Sequence, residues 1–571
     1  MKERKNSPHY ATAITQAFKD VKLNAEDLNT YIELFSGEDE LAQLEVKKNQ
    51  IIFGRRGTGK SHFLKAFNQK ININTNTNHC SLYVSCLDFI GTKDNMESYV
   101  HEKKYRLIAS LYYKSFLNHF IELMLDHKKL WKVAQNKKQV ETIFEKMITE
   151  IIRGSEVVKE IIKIKEIDTT GKTKKEGSIG FSLSRFFGGG VKINSNKEKT
   201  KQEKEIVNSY YQSDFSKIRN YIDDLLKKAN IERLYICIDE WSELDRTCNT
   251  PIQQYFAQKL KQTFFKSERV SVKIASIWSL TEMNSKELEG RYFGGIEIGQ
   301  DIYKEFDLDT QFFKDKSSIE NFLKTILYKR FIYASDKEIK EIFKKRDDFD
   351  PESLLIEEIF ENEDNFKALI AASHGIPRDF LDLFDKCFRA LKNNIQKHCI
   401  TTDLVIDVST DHYKSNKRNK ISGNDVLISF IEIIDSYLEK ANERFFILRN
   451  GDVRNSNEIK ELVYHGFLHQ LPSQLMDRRV RNKYKFFLID FGCLWDWRKS
   501  RKMGYENCII SPILELSDEQ IKNIEQFMLS LEDLPKMHIL CKYCNRTVFV
   551  NHDVYAKHKI CPHCGEYPNN K

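Results

Sequence analysis

Hydrophobic positions along the chain fall into short apolar runs separated by longer stretches with helical spacing. Apolar runs of strand length lie at 50–53, 80–89, 233–239 and 271–278, and between them apolar residues recur three and four positions apart. Strands that alternate with helices predict a parallel sheet with crossover helices. The first half of the chain is therefore predicted to belong to the α/β class.

Changes in this pattern divide the 571 residues into five predicted segments. They are a helical lead-in (1–48), an α/β core (49–310) with a helical and hairpin insert at about 99–230, a helical lid (311–400), an α+β segment (401–535) and a cysteine-containing end (536–571). Helix, strand, helix and strand follow one another at 423–500, an order compatible with a winged helix. The lysine-rich segment 396–422 is predicted to be a linker, and the glycine-rich stretch 171–204 a hairpin-like excursion.

Composition narrows the class of protein. Charged residues make up 30% of the chain and no apolar run approaches the roughly 18 residues of a membrane helix, so no membrane span is expected. The N-terminus lacks the apolar block of a secretory signal, and eight of the twelve cysteines are scattered, as is typical of a reducing cytoplasm. The net charge of +8, spread over this length, is only a weak indication of anionic partners.

The glycine-rich segment 54–61 carries the first chemical signal. It matches the phosphate-loop (Walker A) pattern G-x-x-x-x-G-K-[ST] at each fixed position, and its residues are Gly54, Arg55, Arg56, Gly57, Thr58, Gly59, Lys60 and Ser61. Glycines let backbone N–H groups point inward at phosphates, and the following helix adds its dipole. Lys60 would reach the β- and γ-phosphates, and the Ser61 hydroxyl would bind Mg²⁺.

A second motif, of Walker B type, ends the strand 233–239. The apolar run terminates in Asp239 and Glu240, at the strand edge where open α/β sheets bind ligands. Asp239 is predicted to hold Mg²⁺, and Glu240 to activate the water that attacks the γ-phosphate. Together the two motifs predict Mg-dependent hydrolysis of a nucleoside triphosphate.

Two further segments carry a resemblance to a known family. The sequence His374-Gly375-Ile376-Pro377-Arg378 and the lead-in Leu34–Leu41 resemble AAA+ ATPases, specifically the prokaryotic Orc/Cdc6-like and STAND-related proteins. The lead-in departs from the family pattern, because Glu38 stands where that pattern has arginine. The resemblance covers roughly residues 30–90 and 230–390.

The resemblance implies further site residues and partners. Arg378 would be a second-sensor arginine that reaches the nucleotide, and Ser279 a first sensor, although an ordinary strand-end serine is an equal alternative. A P-loop core with a helical lid, ATP as the nucleotide and a nucleotide-dependent homo-oligomer follow from the same likeness. Arg269 and Arg291 are candidates for an arginine finger. No guanine-type N-K-x-D motif occurs, which favours adenine.

The C-terminal segment contains two C-x-x-C pairs separated by sixteen residues. Four thiolates at this spacing predict a structural zinc ribbon with the ligands Cys541, Cys544, Cys561 and Cys564. A redox pair is the alternative, but two copies with a following glycine favour zinc. The basic residues around the ribbon suit nucleic acid, whereas many ribbons only dock a protein or staple a terminus.

Two basic stretches raise the question of nucleic acid. One contains Arg478, Arg479 and Arg481 at the position of a wing, and the other is 414–420. Basic side chains there would contact the phosphates of double-stranded DNA, although charge runs are usually solvated loops.

The sequence therefore leaves two functions open. One is an ATP-driven switch or motor on DNA of the Orc/Cdc6-like kind. The other is a STAND-type signalling or antiviral defence ATPase that assembles with partner effector proteins.

Overall fold

The computed structural model describes most of the chain. The described residues are 31–90, 102–134, 136–153, 214–245, 250–288, 291–293, 295–309, 316–335, 350–392, 399–421, 424–441, 445–449, 453, 456–471, 483–501, 519, 522–524, 528–529, 538–543, 547–549, 553–561 and 564–567. The predicted hairpin at 171–204, the arginines at 478–481 and Cys544 lie outside them.

Strands occur along the whole described chain. They are β1 (Gln50–Phe53), β2 (His79–Ser85), β3 (Arg233–Asp239), β4 (Val270–Ser276), β5 (Ser285–Leu288), β6 (Arg291–Phe293), β7 (Lys304–Asp307), β8 (Phe445–Arg449), β9 (Leu468–Gln470), β10 (Tyr484–Ile489), β11 (His538–Leu540) and β12 (Thr547–Phe549).

Helices separate most of these strands. They are α1 (Glu38–Leu44), α2 (Lys60–Ile73), α3 (Glu102–Asp126), α4 (Lys128–Val133), α5 (Lys137–Arg153), α6 (Phe215–Lys228), α7 (Ile252–Leu260), α8 (Lys316–Ala334), α9 (Pro351–Ile359), α10 (Glu363–Ala372), α11 (Pro377–Lys392), α12 (Thr402–His412), α13 (Asp425–Ala441), α14 (Asn457–His465), α15 (Phe491–Arg501) and α16 (Asp553–His558). Short 3₁₀ or π turns lie at Cys86–Asp88, Trp241–Leu244, Lys261–Phe265, Trp278–Leu280, Tyr413–Lys417 and Arg418–Lys420. None of the described helices has both the length and the apolar character that crossing a bilayer requires.

The central sheet confirms the predicted α/β class. Its strand order is β2-β3-β4-β1-β7, and each neighbouring pair is parallel. Because the strands are parallel, their carboxyl ends share one edge, where open sheets bind ligands. The sequence pattern predicted four of these strands and missed β7, whose sequence Lys-Glu-Phe-Asp contains a single apolar residue.

Both faces of the sheet are buried. Along β3, Leu234, Ile236 and Ile238 belong to one apolar core, and Tyr235 and Cys237 belong to the other. Burial on both faces explains why β3 is a nearly continuous apolar run rather than an alternating one.

Insert helices and α7 cover the first face. In this layer α3 packs against α7, and α6 packs against α5. The long helical stretch predicted after residue 99 is confirmed in its described part, from α3 to α5.

The second face carries α2, the lid helices α8–α11 and the C-terminal α+β part, joined in one continuous apolar core. The predicted linker at 396–422 is wrong. Residues 402–412 form α12, which buries Leu404, Val405 and Ile406 and packs against α10, α11 and α15. The charged run that follows α12 dominates the local composition and obscures the apolar stripe of this helix.

The C-terminal α+β part has the predicted winged-helix-like order. Strands β8, β10 and β9 form an antiparallel sheet in that order, with α13 and α14 before β9. Strands β11 and β12 form a separate antiparallel pair within the predicted zinc ribbon.

A lysine is buried at the edge of the central sheet away from these carboxyl ends. Lys273 has no exposed surface. Its Nζ donates to the carbonyls of Val46 and Lys48, each at 2.8 Å, and to Oε1 of Gln50 at 2.5 Å. The ammonium therefore ties β4 to the loop that leads into β1.

Candidate functional site

The phosphate loop connects β1 to α2. Gly57 and Gly59 have φ values of 90° and 94°, in the left-handed region that favours glycine, and α2 begins directly at Lys60. The Lys60 ammonium donates to the carbonyls of Gly54 and Arg55, each at 2.8 Å. It therefore lies inside the curve of the loop, where phosphate oxygens would be its partners.

The surroundings of Lys60 suit an ammonium group that binds an anion. Burial lowers the pKa of its ammonium to about 8, and nearby Arg378 acts in the same direction. The carboxylates of Asp239, Asp309 and Asp307 oppose that shift. A phosphate beside Lys60 would replace part of the lost hydration and favour the charged form.

Asp309 anchors the start of the phosphate loop. Its carboxylate accepts from the Arg55 backbone N–H at 2.7 Å and from the Arg55 Nε at 2.9 Å. The Arg55 guanidinium is thus engaged within the protein. The strand β7 brings Asp309 to this place, because Ile51 and Glu305 pair across β1 and β7.

The Walker B carboxylate ends β3 beside the loop. Asp239 is buried, and its Oδ2 accepts from the Tyr83 hydroxyl at 2.6 Å while Oδ1 accepts from the Glu240 backbone N–H at 2.8 Å. Burial, together with Asp239, raises the pKa of Tyr83, so this hydroxyl remains a donor. Ser61 lines the same cleft. A serine hydroxyl and a carboxylate are oxygen ligands of the kind Mg²⁺ prefers, so the donor set fits that ion.

Glu240 is held in an unusual conformation. Its backbone is left-handed, with φ 57° and ψ 36°, and its Oε2 accepts from the Ser85 Oγ at 2.5 Å. Such a backbone costs a non-glycine residue of order 1 kcal/mol and occurs most often at functional positions. Ser85 is the direct register partner of Asp239, so the two strand ends position both acidic side chains.

The lid closes over the loop at Arg378. The Arg378 backbone N–H donates to the Gly57 carbonyl at 3.2 Å. A Cβ on Gly57 would lie 2.8 Å from Cγ2 of Ile376 and 3.2 Å from Cζ of Arg378. Contact this close requires glycine at 57, and it places the guanidinium beside the phosphate loop.

One cleft of about 1000 Å³ contains all of the predicted nucleotide residues. They are Gly54, Arg55, Arg56, Gly57, Thr58, Gly59, Lys60, Ser61, Asp239, Glu240, Ser279 and Arg378. An apolar wall from Leu34, Phe35, Phe322 and Ile326 lines another part of it. Such a wall suits a flat nucleobase.

The two predicted sensors differ in how the structure places them. Arg378 touches the phosphate loop as described above. The predicted strand 271–278 ends at Ser276, and Ser279 lies in the following turn, within the cleft. Of the arginine-finger candidates, Arg269 lies before β4 at the opposite sheet edge, where its guanidinium donates to the Ile231 carbonyl.

The C-terminal part also contacts the nucleotide cleft. The Arg56 guanidinium lies 4.6 Å from the centre of the Tyr464 ring and donates to the Tyr464 carbonyl at 3.3 Å. The Phe491 backbone N–H donates to Nε2 of His374 at 3.2 Å. Loop and lid are therefore both joined to the α+β part.

A buried charge pair lies behind these contacts. The Lys417 Nζ is 2.5 Å from Oδ2 of Asp490, and the His374 and His469 rings stack with their centres 3.9 Å apart. Burial lowers the pKa of His469, and Lys417 holds the pKa of Asp490 well below its usual range against the effect of burial. The Lys417 ammonium thus supplies a positive charge beside the buried cluster of His374, His469 and Asp490.

Several site residues were not predicted from the sequence. Tyr83, Ser85, Asp309 and Tyr464 contact the predicted residues but carry no motif of their own. The predicted strand 80–89 contains Tyr83 and Ser85, but β2 ends at Ser85, four residues before the predicted end, so the rule that ligands lie at strand ends does not reach Ser85 from the sequence.

Three of the four predicted zinc ligands are described and converge. The sulfur atoms of Cys541, Cys561 and Cys564 lie within 4.8 Å of one another, and the Cys541 and Cys564 sulfurs are 3.6 Å apart. Zn–S bonds of about 2.3 Å in a tetrahedron place sulfurs about 3.8 Å apart, so this geometry fits the ion. Cys544 lies outside the described residues.

The second basic stretch is largely neutralised within the protein. Lys414 and Arg418 lie 2.8 and 3.9 Å from the Asp496 carboxylate, and Lys417 is paired with Asp490. Three of its four basic residues therefore have an internal counter-ion. The arginines of the first stretch are outside the described residues.

Comparisons with known proteins find similarity among solved structures. Neither a protein-family model nor a curated protein matches the sequence. The chain is similar to the Walker-type ATPase of Pyrococcus abyssi, with a TM-score of 0.34 and 12% identity over 83% of this chain and 97% of that one. It is similar to the Orc1 protein of Aeropyrum pernix in complex with DNA, with a TM-score of 0.32 and 13% identity over 83% and 98% of the two chains.

A third similar structure is Cdc6p of Pyrobaculum aerophilum, with a TM-score of 0.29 and 9% identity over 82% of this chain and 96% of that one. These structures include the Orc and Cdc6 group that the sequence motifs resemble.

The Gly57→Ala variant tests the contact between loop and lid. We expect the affinity for ATP to fall by about tenfold or more, because a methyl group forces Ile376 and Arg378 off the loop and strains a left-handed backbone. Titration calorimetry measures this loss.

Gly299→Ala is the matched control, because Gly299 has φ 92° and no atom lies within 4 Å of its added Cβ. This variant should lose only stability, of about 1 kcal/mol, and keep its affinity for ATP. Equal ATP affinity in Gly57→Ala and the parent would show that the lid contact is irrelevant to the nucleotide.

Proposed function

We propose that the chain is an ATPase that binds ATP with Mg²⁺ in this cleft. The observation that carries the proposal is the meeting of a half-buried lysine, a glycine loop and two strand-end carboxylates in one cleft closed by an arginine. Lys60, Asp239 and Arg378 come from three distant parts of the chain and lie around one another. Such an arrangement supplies both binding and electrostatic stabilisation of a transferring phosphoryl group.

Each residue has a role in the proposed reaction. Lys60 and Arg378 neutralise charge on the phosphate oxygens, and Glu240 accepts the proton of the attacking water. A magnesium ion held by Ser61 and Asp239 would add charge neutralisation when bound. Since Glu240 accepts a hydrogen bond from Ser85, its carboxylate must exchange this partner for water before hydrolysis.

Two variants separate binding from hydrolysis. Lys60→Ala should abolish detectable binding of ATP and ADP, because it removes the ammonium group that lies inside the phosphate loop. Glu240→Gln should bind ATP like the parent but lose at least about 100-fold in turnover, since an amide accepts the water proton poorly. Calorimetry and phosphate release measure the two effects.

Control substitutions lie on the same elements. Lys70→Ala removes the lysine of α2 that pairs with Glu45 at the surface. Glu232→Gln changes the residue directly before β3. Both should behave like the parent. Parental ATP turnover in Lys60→Ala and Glu240→Gln would disprove the assigned roles.

We infer that nucleotide state is passed to the C-terminal part, which makes the protein a switch. Arg56 of the phosphate loop contacts Tyr464 at the end of α14, and His374 of the lid contacts Phe491. In helix-turn-helix proteins the second helix enters the major groove, and α14 lies in the corresponding place before the β9–β10 pair. Double-stranded DNA is therefore the partner we propose first.

A second function is favoured by the burial of α14. Each of its residues from Asn457 to His465 is buried or half-buried, so the helix is not presented to a groove in this conformation. This arrangement suits a STAND-type signalling or defence ATPase in which ATP binding releases the C-terminal part to assemble with further copies or with effector proteins.

Tyr464→Ala distinguishes these functions. If DNA is the partner, the parent should bind duplex more tightly with ATP than with ADP. The variant should bind equally in both states, because the Arg56 contact that couples them is lost. Gel shifts at two salt concentrations measure this, and raised salt should weaken binding through lost phosphate contacts.

Tyr303→Ala is the control, because Tyr303 is exposed and lies directly before β7, at the amino ends of the strands. This variant should keep the parental difference. Absence of duplex binding in every state, with ATP-dependent oligomers in light scattering, would reject DNA and favour the second function.

We also propose one structural Zn²⁺ per chain, held by Cys541, Cys544, Cys561 and Cys564. The convergence of three of these sulfurs supports it. Cys561→Ser should lose the zinc that metal analysis detects in the parent, whereas Cys399→Ser, outside the cluster, should keep it. Equal zinc content in Cys561→Ser and the parent would exclude this ligand set.

A further inference from the structure

Lys420 occupies an unusual position among the basic residues of the C-terminal half. It ends the turn Arg418–Lys420 and lies exposed at the rim of the nucleotide cleft, which it lines together with Gly57 and Arg378. The other basic residues of this stretch are paired with Asp490 or Asp496. Within the described part of the chain, Lys420 has no ion pair and donates no hydrogen bond.

The charges around Lys420 are mostly of its own sign. After burial, the largest influences on its ammonium come from Arg56, Lys417 and Arg378, and all of them lower its pKa. Asp379 acts in the opposite direction. Arg56 has an aromatic ring and a carbonyl as its partners, and neither offers a negative charge.

Arg378 links this cationic rim to the phosphate loop. Arg378 and Lys420 both line the cleft that contains Lys60. The guanidinium carbon of Arg378 lies 3.2 Å from where a Gly57 Cβ would be. Lys60, Arg378 and Lys420 therefore form a row that starts inside the phosphate loop and ends at the C-terminal part.

A row of cations in a partly desolvated cleft is costly until an anion neutralises it. Lys60 of a phosphate loop reaches the β- and γ-phosphates, so the outer cations face the end of the triphosphate tail. The terminal phosphate carries the charge that distinguishes ATP from ADP.

We propose that Lys420 binds the terminal phosphate of the nucleotide within the same chain, and that the C-terminal part thereby distinguishes triphosphate from diphosphate. The inference rests on the proposed ATP site and adds to it a residue that no motif marks. The contact supplies positive charge at the terminal phosphate without a neighbouring subunit. When that phosphate is lost, the contact is lost with it, and the α+β part can change position.

The ratio of ATP to ADP affinity tests this assignment. In the Glu240→Gln background, which prevents hydrolysis during the measurement, Lys420→Ala should weaken ATP binding about tenfold, the usual loss of one charge-assisted hydrogen bond. ADP binding should stay within about twofold. Lys420→Arg should retain most of the parental preference, because a guanidinium also binds phosphate. Calorimetry with each nucleotide and Mg²⁺ gives both constants.

Arg418→Ala is the matched control, because Arg418 is an exposed cation in the same turn but faces Asp496. It should leave both affinities unchanged. Equal losses of ATP and ADP affinity in Lys420→Ala, or no loss of either, would overturn the proposal. Failure of the proposed function itself appears differently, as absence of nucleotide binding in the parent protein.

Discussion

The charge of the Lys60 ammonium determines how the strands and loops around it are arranged. Lys60 lies inside the phosphate loop, where burial lowers its pKa to about 8 while three carboxylates favour its charge. Those carboxylates come from β3 and from the end of β7, so the sheet must bring four strands together for the cation to be tolerated. The same requirement fixes the loop, because Asp309 binds both the backbone and the side chain of Arg55.

The lid and the C-terminal part both contact the phosphate loop directly. Arg378 lies on the loop at Gly57, and Arg56 faces outward to Tyr464. A shift of the phosphate loop by a fraction of an ångström would therefore change the contacts of both the lid and the C-terminal part. One continuous apolar core also joins the sheet, the lid and the α+β part. The coupling proposed between the nucleotide and the C-terminal part therefore needs no long chain of intermediate residues.

The sequence predicted those features whose residues are adjacent in the chain. The phosphate loop, the end of β3 and the turn before Arg378 each carry their pattern in a few consecutive positions. Tyr83, Ser85, Asp309 and Tyr464 depend on strand order and domain contact, which no local pattern records. Strand β7 reads Lys-Glu-Phe-Asp and lacks the apolar run that marks the equally short β1. The composition around α12 predicts a linker because the charges that follow this helix outweigh its apolar residues.

The burial of Lys273 has a consequence for the alignment of the sheet. Its ammonium reaches three oxygens only when Lys273 lies opposite Gln50, as it does in the β1–β4 pair. A slip of two residues would keep the faces of the strand but move the ammonium by about 6.6 Å. Its nitrogen would then be buried without these three acceptors, at a cost of about 1–3 kcal/mol for the unsatisfied donor. An apolar residue at this position would accept neighbouring alignments far more readily. Lys273 thus fixes the register of β1 against β4. From the amino end of β1 it thereby sets the position of the phosphate loop relative to the turn after β4.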